Sequence, residues 1–155
     1  MRNRETMEKI RLTEGMWVVV CDGRKLLILE NVGDADFPNL KTRAADEHFV
    51  PPTHELGSDA PSRVHQSVGT ARSSVEQTDW HDKAEAEFVT ALVHRLDAAV
   101  AAKAVRRLVV IAPPRALGVM RQHYTDRLRA ALHAEVDKDL TALPVHEIER
   151  RLTGG

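Results

Sequence analysis

Apolar residues near the start of the chain form two short, β-prone runs at residues 16–21 and 24–30. The runs are separated only by Asp22-Gly23, a pair typical of a type I′ turn, in which both central residues have positive φ. We therefore expect an N-terminal antiparallel hairpin. Because both runs are nearly continuous in apolar residues, they are typical of central strands that helices cover on both faces.

Residues 33–77 break every long periodicity, because prolines, glycines and small polar residues are scattered through them. We expect an irregular segment here, with a short edge strand near residues 48–50. Helical periodicity begins again at Thr78 or Asp79, either of which can cap a helix that extends to residue 102. The apolar stripe of this helix consists of Trp80, Ala84, Phe88, Leu92 and Leu96.

A strand followed by a helix is predicted after this long helix. Residues 108–112 are continuously apolar and predict a buried strand. Pro113 and Pro114 follow it, and two prolines are compatible only with the start of a helix. This helix is expected to break near Tyr124, where Thr125 can cap a second, short helix.

From residue 133 apolar and acidic residues alternate, which indicates a half-exposed strand near a sheet edge. Pro144 then opens a terminal amphipathic helix. Together the patterns predict an α/β fold with a mixed sheet of about five strands, an N-terminal hairpin and helices on both faces. We expect a single domain over residues 16–155, irregular at residues 33–77, after a charged N-terminal extension at residues 1–15.

The 155 residues are 43% hydrophobic and 29% charged, which is typical of a folded globular protein. Lys and Arg total 22 against 23 Asp and Glu, so contact with RNA would need a local basic patch rather than overall charge. The apolar run at residues 16–21 is too short for a signal peptide or a membrane span. A single cysteine, Cys21, excludes an internal disulfide, and we expect a cytoplasmic protein with no membrane partner.

Common catalytic and metal-binding motifs are absent from the sequence. His48, His54 and His65 lack the spacing of a compact metal-ligand pair. None of the serines stands in a Gly-x-Ser-x-Gly nucleophile elbow, and Cys21 is interpreted as a small buried apolar residue. No glycine-rich loop is present to bind phosphate. The sequence therefore predicts no catalytic residue, no metal and no cofactor.

Arg115 is unusual, because a cation in the first turn of a helix opposes the helix dipole. A carboxylate partner would offset this, and Asp139 is a candidate. A structural salt bridge and a functional contact with an anion both remain open. Arg121, Arg127 and Arg129 are candidates to extend a basic strip from Arg115, the alternative being an ordinary solvated helix face.

Four blocks of the sequence, at residues 16–23, 56–63, 109–118 and 135–141, resemble the bacterial host-attachment-protein family. The most specific is Ala-Pro-Pro-Arg-Ala-Leu-Gly within the third block. In the second, Ser62 stands where the family usually has glycine. The resemblance extends over almost the whole chain from residue 16, and its blocks mark the candidate binding residues Asp22, Arg63, Pro113, Pro114, Arg115, Lys138 and Asp139.

The resemblance implies a fold related to the middle domain of archaeal and eukaryotic peptide release factors, and with it a ribosome-associated function. The family name implies a role in the attachment of bacteria to host cells. Release factors carry a Gly-Gly-Gln loop at their catalytic tip, and this sequence has no such tripeptide. Gln66, Gln77 and Gln122 are not preceded by paired glycines, so peptidyl-tRNA hydrolysis by that mechanism is not carried over.

Three functions follow as hypotheses. The first is a non-enzymatic binding domain that contacts the ribosome or RNA through the Arg115 face and residues 33–77. The second is a Mg²⁺-dependent or ester hydrolase acting on RNA, with Asp22, Asp137 or Asp139 at strand ends. The third is a factor that promotes attachment to host cells. The oligomeric state is left open by the sequence.

Overall fold

The computed structural model of the chain describes residues 9–47 and 70–154. Five strands form one sheet in the spatial order β3-β2-β1-β4-β5. The strands are β1 (Trp17–Cys21), β2 (Lys25–Asn31), β3 (Leu40–Glu47), β4 (Leu108–Ala112) and β5 (Leu132–Asp137). The helices are α1 (Thr70–Ala101), α2 (Pro114–His123), α3 (Asp126–Ala131) and α4 (Val145–Thr153).

The sheet is mixed, as the sequence predicts. β1 and β2 form the expected antiparallel hairpin, and β3 adds to β2 in the same antiparallel sense. β4 lies parallel to β1, and β5 lies parallel to β4. The α/β class and the N-terminal hairpin are therefore confirmed.

Helices cover both faces of the sheet, which explains the continuous apolar runs. Alternate residues of β1 point to opposite sides, as in any strand. Trp17, Val19 and Cys21 pack with the residues of α1, α2 and α3, whereas Val18 and Val20 pack with α4. Every residue of β1 and of β4 is buried, so these two strands form the centre of a three-layer domain.

The hairpin turn differs from the predicted type I′ turn. Among the described residues, positive φ occurs at Gly15, Lys103 and Gly154, so Gly23 does not adopt the conformation that type I′ requires. The side chain of Asp22 holds the turn instead, by accepting hydrogen bonds from following backbone N–H groups. A glycine is needed at position 23 for space, because a Cβ there would lie 2.8 Å from the Cβ of Glu85 on α1.

Regular structure occupies part of the segment for which the sequence predicted irregularity. β3 occupies Leu40–Glu47, whereas the expected strand near residues 48–50 lies outside the described residues. Seven of the eight residues of β3 are not buried, so the strand lacks the apolar alternation by which a strand is recognised. α1 begins at Thr70 rather than Thr78, because polar residues with adequate helix propensity extend it without an apolar stripe. The side chain of Trp80 lies outside the described part of the chain.

The caps of the short helices are as predicted. The Thr125 hydroxyl accepts a hydrogen bond from the backbone N–H of Leu128 at 3.1 Å and starts α3. Pro144 precedes α4, and Gly154 ends it with a φ of 76°. β5 lies at the sheet edge and is only half-buried, which confirms the interpretation of its alternating pattern.

The described part of the N-terminal extension packs on the domain. The backbone N–H of Ile10 donates to the carbonyl of Leu152 at 2.7 Å, and Leu12 is buried in the cluster under α4. Within residues 9–47 and 70–154, no helix combines the length and apolar content that crossing a bilayer demands.

Candidate functional site

Three parallel strands bring most of the candidate residues to one edge of the sheet. Because β1, β4 and β5 run in the same direction, their carboxyl ends meet, and we call this side of the sheet the carboxyl edge. Ligands of open α/β sheets commonly bind at such an edge. Asp22 follows β1, the Pro113-Pro114-Arg115 turn follows β4, and Lys138 and Asp139 follow β5.

The remaining candidate, Arg63, lies outside the described residues. The same is true of His48, His54 and His65, which the sequence placed in the irregular segment. No group of three or more His, Cys, Asp or Glu residues within the described ranges is arranged to hold a metal ion.

Asp22 joins the hairpin to the loop after β5. Its Oδ1 accepts hydrogen bonds from the backbone N–H groups of Arg24 and Lys25, each at 2.7 Å. Its Oδ2 lies 3.3 Å from the hydroxyl oxygen of Thr141. The carboxylate therefore fixes the turn with one oxygen and reaches across the carboxyl edge with the other.

Asp139 and Asp22 converge on the same hydroxyl. Asp139 Oδ1 accepts from the backbone N–H of Thr141 at 3.1 Å and lies 2.7 Å from its Oγ1. A hydroxyl has a single proton, so it donates fully to one of these carboxylates at a time. The convergence satisfies the distance requirement of the hydrolase hypothesis, in which carboxylates from different strand ends must lie close together.

Cys21 lies beneath these carboxylates at the end of β1. Its side chain is fully buried, and loss of solvation, together with the nearby charges of Asp22 and Asp139, raises the pKa of the thiol to about 12. A thiol with so high a pKa is almost entirely protonated at neutral pH and is a poor nucleophile. The interpretation of Cys21 as a buried apolar residue agrees with this environment.

A cleft of about 290 Å³ opens on the helical side of the carboxyl edge. Its floor is apolar and its rim is charged, with carboxylates from α1 and the hairpin facing two arginines. The floor contains Ala86, Val89, Ala116 and Val119, and the rim contains Asp22, Arg24, Asp82, Glu85 and Arg115. Gly23, which also lines the cleft, lies in close contact with Glu85. The lining suits a ligand with an apolar body and a charged end.

The carboxylate partner of Arg115 is Asp82 of α1, not Asp139 as the sequence suggested. Both side chains are substantially exposed, at 70% for Arg115 and 44% for Asp82, so the pair is well solvated and contributes little to stability. Pro113 and Pro114 provide no backbone N–H, as expected for the start of α2. Arg115 is therefore held at the cleft rim in a position where a ligand can reach it.

The predicted basic strip along α2 and α3 is largely neutralised. Arg121 donates two hydrogen bonds to Glu135, at 3.0 and 2.7 Å, and Arg127 pairs in the same way with Asp97. Arg129 donates to the backbone carbonyl of Arg121. These contacts raise the pKa of Arg121 and of Arg127, through the hydrogen bonds to their carboxylate partners. The strip is an ion-paired helix face and not a free basic patch.

The carboxyl edge also contains three residues that the sequence analysis did not identify as candidates, namely Asp82, Glu85 and Thr141. Asp82 and Glu85 are three residues apart on α1, a spacing that places two side chains on one helix face. Thr141 falls inside the fourth block that resembles the family, so the resemblance was the signal by which it could have been identified.

The mixed sheet, with helices on both faces and a loop cluster at the carboxyl edge, defines an α/β protein of three layers. A model of the bacterial archaeo-eukaryotic release factor family 12 matches residues 15–152. The chain belongs to this family, which confirms the release-factor relationship expected from the sequence. No curated protein matches the chain.

Proposed function

We propose that this chain is a translation-associated binding domain, which holds its partner at the carboxyl edge and does not act through release-factor chemistry. Membership of a release-factor family supports the association with translation. The sequence has no Gly-Gly-Gln tripeptide, so it lacks the group with which release factors assist peptidyl-tRNA hydrolysis. The observation that carries the proposal is that Asp22 and Arg115 line the same cleft, while Asp22 and Asp139 share the hydroxyl of Thr141 as a partner.

The composition of the cleft favours a polypeptide segment as the partner. Its rim has three carboxylates, from Asp22, Asp82 and Glu85, against the two guanidinium groups of Arg24 and Arg115. Phosphate groups would be repelled by this excess of negative charge. A segment that carries one basic and one acidic side chain beside an apolar one matches the carboxylates of the rim, Arg115 and the floor.

Co-sedimentation with ribosomes from native lysate tests the proposal. We expect the wild-type chain in ribosomal fractions and a clear loss for Arg115→Glu, which places a third carboxylate beside Asp82 and Glu85. Arg150→Glu is the matched control, because Arg150 is an exposed arginine of α4 with the same charge change. A wild-type distribution that never overlaps the ribosomal fractions would contradict the proposal.

A charge swap separates a role in binding from a role in folding. The double variant Asp82→Arg with Arg115→Glu restores the ion pair with opposite polarity. If Arg115 serves only to hold α1 against α2, the swap restores co-sedimentation. We expect no restoration, because the partner would then meet the wrong charge at each position.

A Mg²⁺-dependent hydrolase acting on RNA or an ester is the second candidate, favoured by the shared contact of Asp22 and Asp139 with Thr141. Carboxylate oxygens are ligands that Mg²⁺ prefers. The experiment is cleavage of labelled RNA and of a model ester with Mg²⁺ or with EDTA, for the wild type and Asp139→Asn. Turnover that needs both the metal and Asp139 would favour the enzyme, and its absence removes this candidate.

Attachment to host cells is the third role proposed from the sequence resemblance. Fractionation of intact cells tests it together with the expected cytoplasmic location. Recovery of the chain at the cell surface would favour attachment, and recovery with ribosomes would favour the translation role.

A further inference from the structure

The amino ends of β1 and β4 lie at the opposite side of the sheet, which we call the amino edge. The connection from α1 to β4 passes along it and carries Lys103, Arg106 and Arg107, all exposed. None of the ion pairs found within the described residues involves these three side chains. They contrast with Arg121 and Arg127, whose charges are balanced by carboxylates.

These cations line a broad cleft of about 680 Å³. Residues 13–16 form its other wall, and Trp17 N–H donates to the carbonyl of Arg107 at 3.2 Å, which ties the two walls together. Two carboxylates also line the cleft, but Glu30 is already paired with Arg43 at 2.9 Å. Glu14 alone then opposes three cations, so the cleft has a local excess of positive charge.

The backbone of Lys103 is held in an unfavourable conformation for its side chain. Its φ is 64°, in the left-handed region that favours glycine. Ala104 N–H donates to the carbonyl of Ala99 and Lys103 N–H to that of Val100, the two hydrogen bonds of a Schellman motif. Glycine is the usual residue at this position of the motif, so a lysine here costs free energy relative to glycine.

We propose that the amino-edge cleft binds the phosphodiester backbone of RNA through Lys103, Arg106 and Arg107. Guanidinium and ammonium groups without carboxylate partners are suited to phosphate oxygens. Trp17, which follows Met16 of the cleft wall, is buried under the guanidinium of Arg43 and offers no face for a base to stack on. Binding therefore reads the phosphates and does not depend on base sequence.

The choice of RNA as the ligand rests on the proposed association with translation. The cleft and its positive charge are observed in the structure and do not depend on that proposal. The net charge of the chain is −1, so attraction is local and binding is weak at physiological salt. Three phosphate contacts to a single strand give a slope of about −2 in a plot of log affinity against log salt. Affinity should then fall roughly 20-fold between 50 and 200 mM salt.

The first test is fluorescence anisotropy with a labelled single-stranded RNA of mixed sequence. We expect Lys103→Gln with Arg106→Gln to lower affinity at least tenfold at 50 mM salt and to reduce the salt slope to about −0.7, that of one remaining contact. Arg150→Gln with Arg151→Gln removes the same charge from exposed positions on α4 and should leave affinity within twofold. Equal losses in the two double variants, or no loss in either, would overturn the inference.

Two further experiments test the identity of the ligand and the role of Lys103. Polyglutamate of matched charge should compete poorly with RNA, and equal competition would overturn RNA as the ligand. Lys103→Gly should raise the melting temperature and yet weaken RNA binding, whereas unchanged affinity would overturn the role of Lys103. Arg115→Glu should bind purified RNA normally, so a failure here is distinguishable from a failure of the carboxyl-edge proposal, which is measured on ribosomes.

Discussion

Asn31, at the end of β2, should be one of the most costly polar positions to change. It is fully buried and makes hydrogen bonds with both ends of its amide. Its Nδ2 donates to the carbonyl of Leu12 at 2.8 Å and lies within reach of two further carbonyls, of Thr13 and Asp34. Its Oδ1 accepts from the backbone N–H groups of Gly33 and Asn39, at 3.0 and 2.8 Å.

The size of the effect follows from these contacts. An amide NH₂ has two hydrogens, so two of the three donor contacts are satisfied at full strength, and the oxygen accepts two more. At about 1 kcal/mol net for each hydrogen bond, Asn31→Ala should lower the free energy of unfolding by about 4 kcal/mol. For a domain of this size the melting temperature should fall by about 10 °C, taking 2–4 °C per kcal/mol.

Urea unfolding followed by circular dichroism measures this loss, with Asn39→Ala as the matched control. The side chain of Asn39 is exposed, and the contact with Asn31 uses its backbone N–H, so truncation there should change stability by less than about 0.5 kcal/mol. A cost below about 1 kcal/mol for Asn31→Ala would refute the argument that this amide joins the segment before β1 to the β2–β3 loop.

Three further outcomes are expected. Cys21, with its pKa raised to about 12 by burial, should react with a thiol reagent at pH 8 only after denaturant is added, and stoichiometric labelling of the native chain would contradict its burial. Hydrogen bonding from Arg127 lowers the pKa of Asp97 from 3.8 to about 2, so the stability contributed above pH 4 should be lost as the pH falls towards 2, where wild type and Asp97→Asn should converge in urea titrations. Gly23→Ala should cost about 1–3 kcal/mol by forcing a Cβ against Glu85, and unfolding curves that match the wild type would show that the turn and α1 separate freely.

Elements with a strong apolar pattern were predictable, and those held by backbone pairing were not. β1 and β4 are buried along their whole length and stand out as apolar runs, and α4 is marked by Pro144 and Gly154. β3 buries only Leu40 at its first position, so its existence depends on hydrogen bonding with β2, which no local pattern records. The turn at Gly23 illustrates the same limit, because its geometry is determined by contact with α1.

The residues of the candidate site could be named from the sequence, but their arrangement could not. Asp22, Arg115 and Asp139 were each identified near a strand end, whereas the meeting of these ends depends on β1, β4 and β5 being neighbours in the sheet. Which carboxylate faces Arg115 depends on how α1 lies across the sheet, and the structure selects Asp82 instead of Asp139. Tertiary geometry also determines which basic side chains remain without a carboxylate partner. The sequence placed such side chains on α2 and α3, whereas in the structure they lie at the amino edge.

The two proposed surfaces lie far enough apart to be tested separately. β1 and β4 have five residues each, and at about 3.3 Å per residue they separate the carboxyl and amino edges by roughly 16 Å. The Debye length at physiological ionic strength is about 8 Å, so a charge change at Arg115 is largely screened at Lys103. Each set of variants should therefore affect its own partner, protein at the carboxyl edge and RNA at the amino edge. Under both proposals, a chain with both surfaces intact would make two contacts with a single ribosome, and linked contacts bind more tightly than either alone. Removal of either surface should then weaken co-sedimentation, while only changes at the amino edge weaken binding to purified RNA.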